Sequence, residues 1–497
     1  MALSSRRLFV VIVWFGLLIL PVHEIVDPDY WWHLRTGQQI LQRGSLPHTD
    51  IYSFTSAGKT WIAHEWLSEV VMYSIYRIAD HAGLILMFAL VVAIAFGIAY
   101  RRCQGKPFVA GFAVLLGGLA SMPTLGARPQ MFTVLFTSIF LAALGNYQHG
   151  GGARKLWWLV PAMLLWANLH GGFVVGLLLI VLTCVGLALD EHSHGANAGV
   201  ILRVLRPLLY VLCACTAVVT INPNGIRLYA HPFATIRSSA SNLYITEWAS
   251  PDFHKLAFQA LAVLMLCTSG ILALSPKRSR VSDLLLLLVT GYAALRSGRH
   301  IPLFALVAIP VLSEHALEWL ASHRKSAWLN QAERPVASAK TVLNTALLML
   351  LVVGFAFRMG KALKDQQAHE SERWPLAAVQ FMQSHALPPE LYNNYDWGGY
   401  LIWKLYPQYR VSIDGRADVH GDALVAESIE AYKGIGGWEG FLTRHSIRTV
   451  LVGPDAPLAS LLQERCDWDK VYTDTHAVIF VKRENTSRVS ACVSQVS

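Results

Sequence analysis

Charge is scarce in this sequence. Of its 497 residues only 15% are charged and 54% are hydrophobic, where soluble domains carry about 25% charged residues. Long, nearly uncharged runs recur along the chain, and a run of about 20 apolar residues is what a bilayer span requires. Cysteine is sparse as well. The seven cysteines show no CxxC pair and no zinc-ligand spacing, which excludes a zinc module and a disulfide framework. Cys184, Cys213, Cys215 and Cys267 fall inside apolar runs and read as packing residues. Cys466 and Cys492 are the two that could meet in an oxidising compartment, though spacing does not decide it. Internal repeats are lacking too.

What is present is a succession of about eleven apolar spans. They lie near residues 8–22, 80–100, 107–123, 129–147, 155–169, 173–190, 201–221, 255–275, 281–297, 300–318 and 341–358. The first does not end in the small-residue pattern of a cleaved signal peptide and reads as a retained span. Basic residues set the orientation. Arg6 and Arg7, Arg101, Arg102 and Lys106, Arg154 and Lys155, Arg203 and Arg206, Lys277, Arg278 and Arg280, and finally Arg324 to Lys340 all fall on one side if the N-terminus is cytoplasmic. The net charge of +9 is then a topology signal and does not indicate nucleic-acid binding.

The expected fold is a polytopic α-helical membrane protein with a C-terminal extracytoplasmic α/β domain. Residues 1–360 read as the transmembrane domain. Within it, 23–79 form a long first outer loop with amphipathic helices around Tyr30–Arg43 and Glu65–Arg77, and 222–254 form a second long outer loop. Residues 370–485 read as the α/β domain. Strands are expected at ELYNNY, RVSIDG, RTVLVG and AVIFVKR, and helical periodicity at LAAVQFMQSHAL, 421–446 and 456–465. Residues 486–497 read as a disordered tail.

With this topology the outer connections collect the polar motifs. The first loop holds DPDYWWH, with Asp27, Asp29 and His33, followed by Arg35, and later His64 and Glu65. The next outer connections hold Arg128 in GARPQ and His170 in NLHGG. The last two hold Glu247 in ITEW, and Arg299 and His300 in RSGRH. Asp396 and Arg416 belong to the α/β domain. Ionisable groups near a bilayer are costly to keep and mark candidate sites. Carboxylates at the outer surface suit general-base work on an acceptor hydroxyl, and arginines suit a leaving phosphate through their planar fork. The residues so assigned are Asp27 and Asp29 for catalysis and Arg128, Arg299, His300 and Arg35 for donor phosphate. His33, His64, Glu65, His170, Glu247, Asp396 and Arg416 are assigned to acceptor or substrate. The same Asp27 and Asp29 offer hard oxygen ligands to Mg2+ or Mn2+, without requiring either.

Each feature has a structural alternative. Asp27-Pro28-Asp29 could be a helix-terminating turn, and Trp31 and Trp32 read as interface anchors. His33 could be a solvated helix residue, and Arg128 and Arg299 could snorkel from span ends. His170 could be structural at a tight reversal, and Asp414 and Arg416 could simply pair. The shared side of the motifs carries more weight than any one of them.

The architecture resembles the GT-C class of integral-membrane glycosyltransferases, in which a long first outer loop carries essential acidic residues. Asp27 and Asp29 occupy that place. The DPD-WWH opening with a later WGGYL looks like a bacterial branch of the class. A fainter likeness links His23, Glu24, Asp27, Pro28 and Arg35 to the opening of the oligosaccharyltransferase catalytic subunit. There, Glu247 matches a late-loop glutamate, and Tyr395 to Tyr400 are similar to a permuted WWDYG motif. That family's DxD near the second outer loop is missing here, where only TLGARPQ stands. Asparagine-linked protein glycosylation is therefore not carried over.

The resemblance implies a hexosyl- or pentosyltransferase. Its donor would be a polyprenyl-phosphate sugar in the bacterial inner membrane, its acceptor a periplasmic glycan, lipid or protein, and its lipid-binding groove would lie among the spans. A transporter or flippase for lipid-linked saccharides is the first competing class, and it calls for ionisable residues at mid-span. A non-catalytic assembly protein for envelope polysaccharide is the second.

Overall fold

The structure is a computed structural model that describes residues 4–239, 243, 246–323 and 338–483. The expected disordered tail and Cys492 lie outside the described residues. Cys466 is held in a disulfide.

The chain is mostly helical, and every expected span is met by a helix. Among the described residues, seven helices are long and apolar enough to cross a membrane: Trp66–Arg102, Gln130–Gln148, Gly171–Ser193, Ala198–Val218, Leu256–Leu274, Gly298–Ser322 and Thr341–Arg373. The others are shorter. Ser5–Ile19 has 15 residues, Leu159–Leu169 has 11 and Val281–Arg296 has 16, and Phe108–Thr124 is a short apolar helix. Helix is the form that lets an apolar segment satisfy its own backbone in lipid. Hydroxyls within the spans follow the same rule by bonding back one turn. Ser121 Oγ donates to the Gly117 carbonyl at 2.8 Å and Thr183 Oγ1 to that of Leu179 at 2.8 Å.

The chain forms two compact units. The first comprises Met1–His23, Ala79–Pro232 and Ile245–Leu363, and the second Glu24–Ile78, Phe233–Tyr244 and Lys364–Ser497. The helix Trp66–Arg102 changes unit at a break, where Asp80 takes a positive φ of 50°. In the first unit, small residues let helices approach closely. Gly117 lies against Ile309 and Gly186 against the backbone of Ser282, so neither position has room for a side chain.

The second unit is built on a five-stranded sheet of order β2-β1-β3-β5-β4, with β1 Glu390–Asn393, β2 Arg410–Val411, β3 Thr449–Val452, β4 Trp468–Thr473 and β5 Val478–Lys482. The first three strands run parallel, and β5 and β4 add antiparallel. The four expected strands are present, and β4 is one that the sequence reading omitted. Its burial alternates poorly, with Trp468 buried and Asp469 and Lys470 exposed. A core of Tyr392, Phe441, Val450, Leu458, Trp468 and Phe480 fills the sheet face.

The first loop folds onto this sheet. The amide of Val411 donates to the carbonyl of Tyr52 and the amide of Phe54 to that of Val411, both at 3.1 Å, so residues 52–54 extend the parallel edge beside β2. The loop helix Tyr30–Arg43 lies against the helix Gly398–Leu405 of the WGGYL segment. Trp31 and Trp32 were expected at the membrane interface, but they are 1% and 5% exposed. Trp31 packs edge-on to Trp374 and Tyr400 at 6.5 and 5.3 Å. Their rings serve the core of this unit, because the helix faces a sheet domain on one side and the Trp66–Ile78 segment on another.

Gly399 is what permits the approach. A Cβ there would stand 2.7 Å from the Pro28 carbonyl oxygen. Gly399→Ala should therefore lower the stability of this unit by about 1–3 kcal/mol, the usual penalty for overpacking, read as a fall in thermal midpoint of the purified protein.

Candidate functional site

Two clusters of ionisable residues stand out, one in each unit. The cluster in the second unit begins with the DPD turn. Asp27 Oδ1 accepts from the amide of Asp29 at 3.0 Å, so Pro28 and the Asx turn fix the entry to the Tyr30–Arg43 helix. Asp29 sits at the N-cap of that helix but makes no side-chain cap bond. Its carboxylate lies against Gly415, where any side chain would collide with it. Asp29 is half-buried. Burial, reinforced by the charge of Asp27, raises its pKa to about 8 against the partial relief from His33.

One turn on, His33 is buried between two glutamates. Its Nδ1 lies 3.3 Å from Glu69 Oε1 and its Nε2 3.5 Å from Glu65 Oε2. Glu65 Oε1 in turn lies 3.5 Å from His64 Nε2. The two histidines thus share Glu65. Burial alone would lower both imidazoles. The bond to Glu69 and the charges of Glu65 and Glu69 raise His33 instead, and Glu65 with Asp418 takes His64 to about 9. The reading of His33 as a solvated residue does not hold, since it is 4% exposed.

Behind this group lies Arg416. It donates from Nε and Nη2 to both oxygens of Asp414 at 2.8 and 2.7 Å, and from Nη2 to Asp50 Oδ1 at 2.8 Å. Its guanidinium faces the rings of Trp61, Tyr52 and Trp32 at 4.6, 5.0 and 6.0 Å. Despite its burial, Asp414 is held well below the usual carboxylate range by Arg416 and His420. His420 Nε2 lies 3.2 Å from Asp414 Oδ2, and its Nδ1 meets Ser56 Oγ at 3.2 Å. Arg416 was assigned to the acceptor, but it is 2% exposed. The pairing with Asp414, named as its structural alternative, is present. Arg35, assigned to donor phosphate, is likewise engaged in the structure, donating to the Tyr406 carbonyl and to Gln38 Oε1. Asp396 is exposed in a turn whose amide is capped by Asn394 Oδ1 at 3.0 Å.

In the first unit the connections from the second, fourth and fifth expected outer segments meet. Arg128 pairs with Glu247 and reaches Gln130, whose Nε2 donates to the Arg299 carbonyl at 2.9 Å. Arg299 lies over the Trp248 ring at 4.6 Å, and the His300 ring meets that indole edge-on at 6.1 Å. Ser297 Oγ ties to the Glu247 carbonyl at 2.9 Å. Arg128 and Arg299 hold Glu247 below its ordinary value although burial opposes them. Glu247 was assigned to the acceptor; its carboxylate pairs with Arg128, and the charge of Arg299 acts on it as well. His170 stands elsewhere. Its Nδ1 accepts from the Gly172 amide at 2.9 Å and meets Thr133 Oγ1 at 2.8 Å, which makes it the cap of the Gly171–Phe173 turn.

Sequence reasoning passed over Glu69, Asp50 and His420. The first had a signal, since it lies four residues after Glu65 and so on the same helix face. The partner of Asp50 is more than three hundred residues away, and no local pattern announces it.

Asp27 and Asp29 present a small donor set for Mg2+ or Mn2+. One Asp27 oxygen is taken by an amide. Among the described residues no third His, Cys, Asp or Glu joins the two in a coordinating group, while hard cations want about six oxygens.

Arg416→Met should leave buried Asp50 without its counter-cation and Asp414 with His420 alone. The expected loss is about 3–5 kcal/mol, read as a large drop in thermal midpoint, whereas Asp396→Asn should leave that midpoint unchanged.

No protein-family model and no curated protein matches this sequence. Solved structures do. The archaeal oligosaccharyltransferase AglB from Archaeoglobus fulgidus, in complex with an inhibitory peptide and a dolichol-phosphate, superposes with a TM-score of 0.53. The identity is 12%, with 96% of this chain and 74% of that one covered. The arabinofuranosyltransferase AftD from Mycobacteria gives 0.52 at 13% identity, with 97% of this chain and 42% of that one covered. Both are GT-C glycosyltransferases, and the likeness gives this chain the GT-C fold.

Proposed function

We propose that the protein is a membrane glycosyltransferase of the GT-C type. It moves a hexosyl or pentosyl group from a polyprenyl-phosphate-linked donor to an extracytoplasmic glycan, lipid or protein. The observation that carries this reading is Asp29. Its carboxylate is seated against Gly415 at the start of a loop helix, and its pKa of about 8 is close to working pH, where a general base is most effective. The GT-C fold supports the reaction class, and the dolichol-phosphate held by AglB supports a lipid-linked donor.

In the reaction, the acceptor hydroxyl oxygen attacks the anomeric carbon. Its proton goes to Asp29, the new carbon–oxygen bond forms, and the bond to phosphate breaks with its electron pair leaving on the phosphate oxygen. A single displacement of this kind inverts the anomeric carbon. In the first unit, taken by itself, Arg128 and Arg299, with His300 next in sequence, are proposed as phosphate-binding residues, since arginine forks suit that anion and Arg128 pairs with the Glu247 carboxylate. Asp27 shapes the turn and adds charge at the base.

The protein is read as a multi-pass component of the bacterial inner membrane, with a cytoplasmic N-terminus and a periplasmic C-terminal domain. The disulfide at Cys466 supports an oxidising compartment for that domain.

Asp29→Asn should lower transfer by 100-fold or more in proteoliposomes, in line with the loss of a general base at about 10²–10⁴. The variant should co-purify with a polyprenyl-phosphate sugar by lipid mass spectrometry. Wild-type transfer should rise with pH through about 8, because Asp29 accepts a proton only when ionised. Full transfer by Asp29→Asn would sink the assignment.

A further inference from the structure

At one end of the first unit, two elements bring basic residues together. The helix Gln130–Gln148 finishes beside the helix Ala198–Val218, where Tyr147 Oη donates to the Val204 carbonyl at 2.7 Å. A few residues on, the turn Ala153–Trp158 lies against that same helix. The turn carries Arg154 and Lys155, and the helix carries Arg203 and Arg206 on either side of Val204. All four side chains are exposed. Arg203, Arg206 and Tyr210, spaced by three and four residues, share one helix face.

Acidic partners are scarce there. Between Asp80 and Glu247 the chain holds only two acids, Asp190 and Glu191. Both close the preceding helix, and Asp190 Oδ1 is taken by the Val281 amide at 2.9 Å. Among the described residues, the side chains of Arg154, Lys155 and Arg203 make no hydrogen bond or ion pair. Arg206 donates from Nε to Tyr210 Oη at 2.8 Å, with its guanidinium over that ring at 5.4 Å. Its two Nη groups have no partner among the described residues. Yet Arg206 stands eight residues inside a helix apolar enough to span a membrane, about 12 Å along its axis. Charge at such a depth is costly unless an anion meets it. A topology signal needs charge in the loop alone and does not call for an arginine two turns into the span.

We propose that this surface is a binding site for the headgroup of an anionic phospholipid, with Arg203 and Arg206 on its phosphate and Arg154 and Lys155 beside them. Guanidinium forks match phosphate oxygens in pairs, and basic surfaces between spans recognise anionic headgroups in this way. The ligand is a lipid because the cations are set in apolar surface. Leu202 and Leu209, which adjoin the two arginines on the helix, are 60% and 38% exposed, and Trp157 and Trp158 are 51% and 76% exposed. Exposed tryptophans of this kind sit at the level of the headgroups. The site lies on the side expected to be cytoplasmic. It takes no part in the transfer reaction and does not rest on the reading of Asp29.

Phosphatidylglycerol added to the purified full-length protein in neutral detergent should raise the thermal midpoint, since a ligand of the native state stabilises it. Phosphatidylcholine and inorganic phosphate at the same concentration should leave it unchanged. Arg203→Gln combined with Arg206→Gln should abolish the rise. The same variant should weaken retention of phosphatidylglycerol in native mass spectrometry by roughly tenfold or more. If that variant does not fold, Arg154→Gln combined with Lys155→Gln on the other element should weaken retention several-fold. An equal rise with phosphatidylcholine would mean that charge is not read, and an equal rise with inorganic phosphate would mean a site for a soluble anion. Either result overturns the inference, as does undiminished phosphatidylglycerol binding in the folded variant.

Discussion

The second unit depends on one buried guanidinium. Arg416 holds Asp414, which follows β2, and Asp50, which belongs to the first loop. That single side chain joins two parts of the chain that sequence separates by more than three hundred residues. Three aromatic rings exclude water around it, and in a low-dielectric setting an ion pair that loses its water needs every partner in place. With Asp414 fixed, the next residue, Gly415, comes against the Asp29 carboxylate. The seat of the candidate base therefore follows from the salt bridge beneath it.

Both ionisable clusters obey the same rule, that a buried charge is kept only beside its opposite. In the first unit Glu247 lies with Arg128 and near Arg299. In the second, His33 and His64 interleave with Glu65 and Glu69. Asp29 is the exception. Its strongest influences are burial and a second carboxylate, and a carboxyl group left in that condition is the one most ready to exchange a proton near neutral pH. The difference between a strut such as Asp414 and a candidate base such as Asp29 is the difference in partners, since both are acidic residues beside the same loop.

Much of the fold was legible in the sequence. The helix over Tyr30–Arg43 and the four strands ELYN, RV, TVLV and VIFVK stand where period and propensity placed them. The apolar windows all became helices because lipid leaves a backbone no other way to satisfy itself. β4 was missed because an edge strand in which Asp469, Lys470 and Val471 are all exposed lacks an apolar alternation. Trp31 and Trp32 misled for a related reason. Aromatics beside a span suit an interface and suit a protein core equally, and only the neighbouring sheet decides which.

For the candidate site the division is sharper. The sequence by itself determined the helical spans, the long loop after the first of them, and the presence of carboxylates at its start, since composition and period are local properties. It also placed Arg128, Glu247, Arg299 and His300 in loops. Tertiary structure alone decided that Glu247 would answer Arg128, that Arg416 would be enclosed with Asp50 and Asp414, and that Glu69 would grip His33. Those pairings are between residues far apart in the chain, and electrostatics inside a fold depends on distance and burial, neither of which a linear sequence contains.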